Sequence, residues 1–257
     1  MDKLDGAAIV LPGVEVRLVE RCTSTNDLLL KENNTVLLAA EEQTTGRGRR
    51  GRRWHSAPGA GLTFSLGRRI RRPARELAAL SLVAGVAAAR ALRALGVRRA
   101  ALKWPNDLLA PDGSGRKLGG VLTETRSESG RIVDAVIGIG VNLVTPAAGW
   151  DVDGAACPVA LDEFAHDLPD ARTLAPEVAR ALEAELAALA RDGADVVARA
   201  RAAMPLWGRR VRGEQGTRLL EGTAKDLAPD GGLVIRLDSG AEVVVHAGDV
   251  RVAWEAS

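Results

Sequence analysis

The chain has 257 residues, of which 46% are hydrophobic and 26% charged, and its formal net charge at pH 7 is +2. This size and composition predict a globular protein with one domain of ordinary size and a small second one. No stretch approaches the roughly twenty apolar residues of a membrane span, and the N-terminus lacks the features of a signal peptide. The small net charge weighs against a general nucleic-acid-binding surface. We therefore expect a cytoplasmic protein with no membrane partner.

The cysteines and histidines follow no metal-site pattern. Cys22 and Cys157 belong to no C-x-x-C pair, and His55, His166 and His246 are scattered along the chain. Structural zinc sites draw four such ligands from short, paired spacings. We therefore expect no metal ion held by a dedicated set of protein ligands.

The first predicted elements are a strand and a short helix. Residues 14–19 alternate apolar and charged side chains, which predicts a half-buried strand. The segment Ser24-Thr25-Asn26 follows, and the apolar run 27–31 begins a helix after it. These three side chains are open to two interpretations. They cap the helix, or some of them face a ligand beside its N-terminus.

A buried strand at residues 35–40 leads into the sequence QTTGRGRRGRRW, from Gln43 to Trp54. Residues 46–53, here called the arginine loop, consist only of glycine and arginine. Five guanidinium groups cannot share a core, and glycine lets a ligand approach the main chain closely. Arginine also matches the geometry of carboxylate and phosphate oxygens. The composition predicts an anion-binding loop that is mobile when empty and ordered by its ligand.

Other interpretations of the arginine loop are a solvated run of charge and a patch for nucleic-acid phosphates. A dinucleotide fingerprint is a third, because Gly46, Gly48 and Gly51 have the G-x-G-x-x-G spacing. That fingerprint should open an apolar helix and be followed by an acidic residue about twenty positions later. Charged residues follow instead, and residues 70–72 contain no carboxylate. The loop alone therefore supports anion binding and nothing more specific.

The middle of the chain predicts a helix flanked by strands. Pro105 ends one of these strands because it cannot donate to a ladder. Gly119 and Gly120 lie inside another strand, which indicates close approach of a backbone or a ligand. Lys117 lies near the start of that same strand, and Asn142 ends the next one. The predicted elements are strands at 61–66, 100–104, 108–109, 116–126 and 132–141, a helix at 77–95, and turns at 105–107 and 111–115.

Near Pro205 the sequence pattern changes from one typical of helices to one typical of short strands. Helices are predicted at 161–166 and 176–203, with a break near 192–193. Short strands then recur with turn signals between them, which predicts a small barrel. We therefore expect an α+β domain over residues 1–204, with a mixed or antiparallel sheet covered by helices, and a barrel domain over 205–257. The predicted short strands are 209–213, 219–224, 233–238, 242–246 and 249–252.

The polar residues at strand ends and turns suit phosphoryl or nucleotidyl transfer. That chemistry needs positioned cations, a carboxylate and amides that align reactants and neutralise developing charge. No histidine or serine has the context of a catalytic triad, and the P-loop and kinase signatures are absent. A nucleotide bound here would need a phosphate-binding site of a different kind from the P-loop and the kinase glycine-rich loop.

Five motifs in order, STN, GRGRRGRRW, KWPNDLL, RKLGGVLTE and GIGVN, resemble those of the biotin protein ligase family. They span residues 24–142. The resemblance implies a catalytic domain of the class II aminoacyl-tRNA synthetase and biotin ligase type, followed by an SH3-like barrel. It also implies that biotin and Mg²⁺-ATP form biotinyl-5′-AMP. The biotinyl group then passes to a lysine of the biotin carboxyl-carrier protein of an acetyl-CoA or related acyl-CoA carboxylase.

The resemblance also assigns roles to residues. Lys117, Arg49 and Asp107 would be catalytic, with Lys117 holding first the biotin carboxylate and then the α-phosphate. For Asp107, orienting the acceptor amine and binding a cation both remain open. Lys103 is either functional or a charge at a strand end, and Trp104 is expected in the core. The implied biotin-binding residues are Ser24, Thr25, Asn26, Gln43, Arg47, Gly48, Arg49, Lys117 and Gly120. The implied ATP-binding residues are Arg49, Arg52, Arg53, Trp54, Asn106 and Asn142.

Other functions fit parts of the sequence. A lipoate or octanoate ligase would share the architecture but would not be expected to carry the arginine loop. A nucleic-acid-binding module would use the loop on phosphates but would leave KWPND and Lys117 unexplained. About thirteen residues precede the first predicted strand, too few for the DNA-binding domain of bifunctional relatives. We therefore expect a monofunctional ligase with no nucleic-acid partner, and both a monomer and a homodimer stay open.

Overall fold

The computed structural model describes residues 9–32, 35–73, 77–147, 149–150, 157–164, 169–215, 218–246 and 248–254. Within these ranges the chain forms a seven-stranded sheet with helices and a separate five-stranded sheet. The first unit contains β1 (Glu15–Cys22), α1 (Thr25–Leu29), β2 (Val36–Gln43), β3 (Gly61–Pro73), α2 (Leu77–Ala94), β4 (Ala101–Lys103), β5 (Asp107–Leu109), β6 (Lys117–Glu128), β7 (Arg131–Asn142), α3 (Ala171–Arg191) and α4 (Gly193–Ala202). The second contains β8 (Arg210–Gln215), β9 (Arg218–Leu227), β10 (Leu233–Leu237), β11 (Glu242–Val245) and β12 (Val250–Val252).

The large sheet is mixed. Its strand order is β1-β2-β3-β7-β6-β5-β4. β1 and β2 are parallel, and the other neighbouring strands pair antiparallel. The parallel pair is joined through α1, and the antiparallel strands β6 and β7 are joined by a tight turn, as their directions require. The predicted α+β class with a mixed sheet is confirmed.

The two faces of this sheet differ in composition. In β7, Ile137, Ile139 and Val141 are buried in the main hydrophobic cluster together with the alanine-rich α2. The alternate residues Gly138 and Gly140 face the opposite side, because side chains alternate along a strand. Burying each large apolar side chain contributes roughly 1.5–3 kcal/mol. One face therefore holds the long helices, and the other carries α1, a smaller apolar cluster (Leu29, Val36, Leu38 and Val136) and the small and polar residues.

A buried carboxylate connects the helices behind the sheet. Glu185 of α3 is 1% exposed. Arg90 Nη1 of α2 donates to it at 2.7 Å, and Arg199 Nη2 of α4 donates at 2.6 Å. A buried charge requires such partners. Glu185 therefore joins three helices, which the sequence did not indicate.

Several predicted boundaries were wrong. β3 continues to Pro73, through a run of arginines that resembles a loop in sequence. α3 begins at Ala171 instead of Pro176, because Asp170 accepts a hydrogen bond from Thr173 N at 2.8 Å and caps the helix. The described part of the helix predicted at 161–166 is a 3-10 turn at Leu161–Glu163, and residues 165 and 166 lie outside the described residues.

The predicted break between the last two helices is confirmed. Asp192 is extended, and its side chain accepts a hydrogen bond from Ala194 N at 3.0 Å, which caps α4. Some predictions fall outside the described residues. They concern residues 1–8 of the lead-in, His166, and residues 148 and 151–156 of the connector.

The second sheet is antiparallel, with the order β11-β10-β9-β8-β12. This confirms a small C-terminal all-β unit. Among the described strands, β11 and β12 are the two edges of the sheet and do not pair with each other. Trp104 is 1% exposed, as predicted for a core residue, and its Nε1 donates to Gly231 O of the second sheet unit at 2.9 Å. The two sheets are thus linked by a buried hydrogen bond.

Candidate active site

A cluster of polar side chains lies at the N-terminus of α1, on the face of the large sheet opposite α2. The backbone N–H of Thr25 donates to Gln43 Oε1 at 2.7 Å, and the Thr25 hydroxyl lies 2.7 Å from Ser65 Oγ. Asn26 Oδ1 accepts from Ser65 Oγ at 2.5 Å. Together with Ser24, these residues are at most 8% exposed. Buried polar groups need partners, so the network fixes a set of donors and acceptors for a polar ligand.

The segment Ser24-Thr25-Asn26 combines both interpretations left open by the sequence. Ser24 has an extended backbone and caps α1, accepting a long hydrogen bond from Asp27 N at 3.4 Å. Thr25 and Asn26 point to the sheet instead. Gly138 makes room for Asn26, because a Cβ atom at that position would overlap with Asn26 Oδ1.

A second cluster is centred on a carboxylate held by two lysines. Asp107 Oδ1 lies 2.7 Å from Lys117 Nζ, and its Oδ2 lies 3.2 Å from Lys103 Nζ. Burial alone would raise the pKa of Asp107, but the ammonium groups of Lys117 and then Lys103 hold it below its usual value. Gly120 leaves space here, since a Cβ atom would lie 3.3 Å from Lys117 Nζ. The Lys117 side chain is 26% exposed, so its ammonium group remains accessible to an anion.

The arginine loop folds back on itself as a hairpin. Arg47 and Arg53 form an isolated β-bridge, and Gly48 N donates to Arg52 O at 2.7 Å. The Arg47 guanidinium pairs with Asp27 and with both oxygens of Glu124, at 2.9 and 3.0 Å. This end of the loop is therefore attached beside the Asn26 cluster.

The tip of the arginine loop contacts the second cluster and the C-terminal sheet. Arg49 donates to Asn106 Oδ1 and to Gly248 O, both at 3.0 Å. Burial lowers the pKa of Arg49; Asp107 opposes this change, while the neighbouring Arg50 and Arg52 guanidiniums add to it. Arg49 also lies 3.9 Å from Asp249, so its guanidinium is held between the second cluster and the C-terminal sheet unit.

The other arginines at the loop tip pair with carboxylates of the C-terminal sheet unit. Arg50 Nη1 lies 2.7 Å from Glu214, and Arg52 pairs with Asp249. Arg50 also has a positive φ of 57°, which is unusual for a residue with a side chain. The loop tip is therefore held by contacts from both sheet units.

A shallow cleft lies beyond the loop, lined by Trp54, His55, Thr63, Asn142 and Trp150 among others. Gly140 allows the Trp54 indole to lie against β7, since a Cβ atom there would overlap with the ring. Asn142 Nδ2 donates to Val159 O at 3.0 Å, which leaves its amide oxygen to accept. His55 Nδ1 is buried without a hydrogen-bond partner. An aromatic ring beside amide and hydroxyl groups suits a flat heterocycle.

The described residues show neither a cluster of metal-binding side chains nor an activated thiol. They contain no group of three His, Cys, Asp or Glu side chains that could hold a metal ion. Both cysteines are free, and burial raises the pKa of Cys22, which disfavours the reactive thiolate. None of the described helices is long and apolar enough to cross a membrane.

The predicted site residues form two groups that the arginine loop connects. Arg47 pairs with Glu124, which in turn accepts a hydrogen bond from Asn26 Nδ2, and Arg49 contacts the Asp107 group. The cleft beyond the loop borders Trp54 and Asn142, whereas Arg52 turns to the C-terminal sheet unit. The Asn26 group contains Ser24, Thr25, Asn26 and Gln43, and the Asp107 group contains Asn106, Asp107, Lys117 and Gly120.

Two residues of the site were missed from the sequence. Ser65 is fully buried in β3 and bonds to both Thr25 and Asn26. Its signal was the alternation in GLTFSL, which puts Thr63 and Ser65 on the face opposite Phe64. Glu124 was assigned only to a strand, and nothing in its sequence neighbourhood points to Arg47.

Comparison with known proteins gives two family matches. The model of the Biotin/lipoate A/B protein ligase family matches residues 18–142, and that of the Biotin protein ligase C terminal domain matches residues 207–252. The Biotin--[acetyl-CoA-carboxylase] ligase of Mycobacterium tuberculosis is 34% identical over 247 residues, covering 92% of this chain and 88% of that protein.

The chain is also similar to longer proteins and to solved structures. The Bifunctional ligase/repressor BirA of Escherichia coli is 35% identical over 198 residues, covering 75% of this chain and 58% of that protein. The chain spans 44% of the Bifunctional ligase/repressor BirA of Salmonella typhimurium and 35% of that of Bacillus spizizenii. The structure of the biotin protein ligase from Aquifex aeolicus in complex with biotin and ATP has a TM-score of 0.76 at 25% identity. The superposition covers 93% of this chain and 99% of the Aquifex aeolicus chain.

Proposed function

The chain belongs to the biotin protein ligase family, and we propose that it activates biotin with ATP as biotinyl-5′-AMP. In the second step it transfers the biotinyl group to a lysine of a biotin carboxyl-carrier domain. The observation that carries this proposal is the Lys117–Asp107 pair, 2.7 Å apart, beside the buried polar cluster and beneath the arginine loop. A fixed, accessible cation between a polar pocket and a phosphate-binding loop is what joining a carboxylate to an α-phosphate requires.

In the proposed first step, two anions must be brought together. The biotin carboxylate oxygen attacks the α-phosphorus of ATP, and pyrophosphate leaves with the electrons of the broken P–O bond. Lys117 would contact the carboxylate and then the α-phosphate oxygens, since a compact ammonium group can follow migrating charge. Arg49 would close over the phosphate and retain the adenylate after it has formed. Asp107 keeps Lys117 in position and balances its charge when the site is empty.

The Asn26 group would bind the ureido ring of biotin. A urea offers two N–H donors and one carbonyl acceptor, which matches the hydroxyl and amide groups of Ser24, Thr25, Asn26 and Gln43. These groups are held by each other, so binding would not require them to be ordered. Arg47, Gly48 and Gly120 would then adjoin the aliphatic chain that carries the carboxylate.

The nucleotide would occupy the cleft beyond the loop. Trp54 would stack near adenine, and the amide groups of Asn106 and Asn142 would serve as its polar partners, with Arg52 and Arg53 near the phosphates. Release of Arg52 from Asp249 would be needed for that contact. Mg²⁺ would arrive with ATP on the phosphate oxygens, because both Asp107 oxygens pair with lysines and Asn106 Oδ1 accepts from Arg49.

In the proposed second step, the acceptor lysine attacks the carbonyl carbon of the mixed anhydride and AMP leaves. We propose the carrier domain of acetyl-CoA carboxylase or a related acyl-CoA carboxylase as the acceptor, by analogy with the named relatives. We also propose a catalytic domain over residues 1–204 and a C-terminal domain over 205–257, supported by the family match that begins at residue 207. Cytoplasmic location and the choice between monomer and homodimer stay predictions.

Pyrophosphate release from ATP, measured with biotin, lipoate and octanoate in turn, tests this proposal. We expect release with biotin alone, and transfer of biotin to a purified carrier domain when that domain is added. Release with lipoate or octanoate and not with biotin would assign the chain to a different acid. Absence of release with all three acids would contradict the proposed activity.

A further inference from the structure

Glu124 lies where three parts of the candidate site meet. Its Oε2 accepts a hydrogen bond from Asn26 Nδ2 at 2.9 Å, and its two oxygens accept from Arg47 Nη2 at 2.9 and 3.0 Å. Arg47 also pairs with Asp27 of α1. One carboxylate on β6 thus contacts the polar pocket and the arginine loop at the same time.

The face of β6 that carries Glu124 is the face of the site. Val121 is buried in the helix-side cluster, and Thr123 Oγ1 accepts a hydrogen bond from Ser81 of α2 at 3.2 Å. Leu122 and Glu124 alternate with these residues and lie on the opposite side, where Asn26 Nδ2 also donates to Leu122 O at 3.1 Å. The Glu124 side chain is 23% exposed. It is therefore not one half of a fully solvated surface pair.

We propose that Glu124 is a positioning residue that couples the arginine loop to the biotin pocket. Its charge orients Arg47 and so sets where the loop begins to cross the pocket. Its second hydrogen bond fixes the Asn26 amide, whose oxygen is already committed to Ser65. Loss of this carboxylate loosens both the pocket wall and the base of the loop. This inference rests on the proposed function, because it assigns the coupling to biotin binding.

The alternative is that Glu124 only stabilises the fold. Exposed ion pairs usually contribute little to stability, and many contribute nothing measurable. Glu124 differs from such a pair because its carboxylate accepts hydrogen bonds from two donors, Asn26 in α1 and Arg47 in the arginine loop. Its removal should change ligand binding more than stability, because Asp27 still pairs with Arg47 and the surrounding strands keep their ladder hydrogen bonds.

The test compares Glu124→Gln with the matched control Glu128→Gln. Both residues lie on β6, but Glu128 is near the strand end and pairs with Arg126 at 2.6 Å, away from the site. Glutamine keeps the shape of the side chain and removes its charge. The measurements are KM for biotin, KM for ATP, kcat and the denaturant midpoint of unfolding. Trypsin cleavage within the arginine loop of the ligand-free protein is measured in parallel.

For Glu124→Gln we expect KM for biotin to rise about tenfold, the effect of losing one charge-assisted hydrogen bond. KM for ATP and the unfolding midpoint should stay near those of the unmodified protein and of Glu128→Gln. Cleavage of the empty loop should accelerate roughly threefold, since an anchoring ion pair is lost. In an Arg47→Ala background, Glu124→Gln should raise KM for biotin by a smaller factor.

Three outcomes would overturn the inference. Unchanged KM for biotin and unchanged loop cleavage would show that Glu124 couples nothing. A fall in the unfolding midpoint that accounts for all kinetic changes would assign it a purely structural role. Fully independent effects of Glu124→Gln and Arg47→Ala would remove the link through Arg47. If the unmodified protein does not use biotin, the proposed function fails, and the ligand-free cleavage comparison still decides the coupling.

Discussion

Replacing Lys117 with alanine removes the cation on which the proposed chemistry depends. The side chains of Lys117 and Asp107 are 26% and 18% exposed, and their charged atoms are 2.7 Å apart. After the substitution Asp107 keeps only Lys103, at 3.2 Å. The same carboxylate thus loses one of two partners, which makes Lys103→Ala a matched control.

The two variants should lose similar amounts of stability but different amounts of activity. Breaking a fully buried ion pair costs about 3–5 kcal/mol. Because Asp107 retains a second lysine and the site is partly open, we expect roughly 1–2 kcal/mol for either variant. Removing a group that stabilises charge in the transition state typically slows the chemical step about 10²- to 10³-fold. We expect that loss for Lys117→Ala and a loss below about tenfold for Lys103→Ala.

The chemical step is measured as single-turnover formation of the acyl-adenylate, detected through the release of pyrophosphate. Stability is measured by denaturant unfolding. The comparison separates catalysis from folding, since both variants perturb the same carboxylate. Equal losses of activity in the two variants would mean that Lys117 acts only by holding Asp107. Activity of Lys117→Ala within tenfold of the unmodified protein would refute the assignment.

Three further predictions concern the loop, the pocket and acid stability. Arg49→Gly should preserve adenylate formation but release the intermediate, so biotinylation of bystander lysines should rise; retention of the intermediate would contradict a closing role for the loop. Gly138→Ala should raise KM for biotin and destabilise the protein by about 1–3 kcal/mol through overlap with Asn26. Gly213→Ala is its control, since the nearest atom there would be 3.5 Å away, and equal effects would contradict the pocket role. The pKa of Asp107 is lowered on folding, so its stabilisation is complete above its unfolded pKa near 4 and is lost as pH falls through the lower folded value. Asp107→Asn should flatten that part of the stability curve, measured by unfolding between about pH 5 and 2, and an unchanged acid slope would exclude Asp107 as its source.

Most of the fold could be predicted because its strands are either alternating, as β1 is in sequence, or short apolar runs, as the start of β2 is. The errors arose where local sequence and tertiary context disagree. The arginines after Gly67 resemble a loop, yet β3 continues there because it pairs with β7 as far as Pro73. The helix predicted from residue 176 begins at Ala171, because Asp170 caps it. Asp170 was not considered as a cap in the sequence prediction.

The site was predictable as a set of residue types but not as a set of pairs. Motifs identify Lys117 and Arg49 because both have a fixed place within a short sequence pattern. Their partners come from distant parts of the chain, as Asp249 does for Arg52 and Glu124 does for Arg47. Carboxylates are common at surfaces, so no local feature distinguishes these two from the rest. Only the folded arrangement shows which acids neutralise the loop.

The alternation within β7 explains why Gly138 and Gly140 are glycine. One side of this strand is used to bury Ile137 and Ile139 against the helices, which stabilises the sheet. The other side must admit the Asn26 amide and the Trp54 ring, and any Cβ at Gly138 or Gly140 would overlap with them. Glycine on one side and large apolar residues on the other are therefore two requirements of β7. Substitutions on the helix side should act through folding, whereas substitutions at the glycines should act first on what the site can hold.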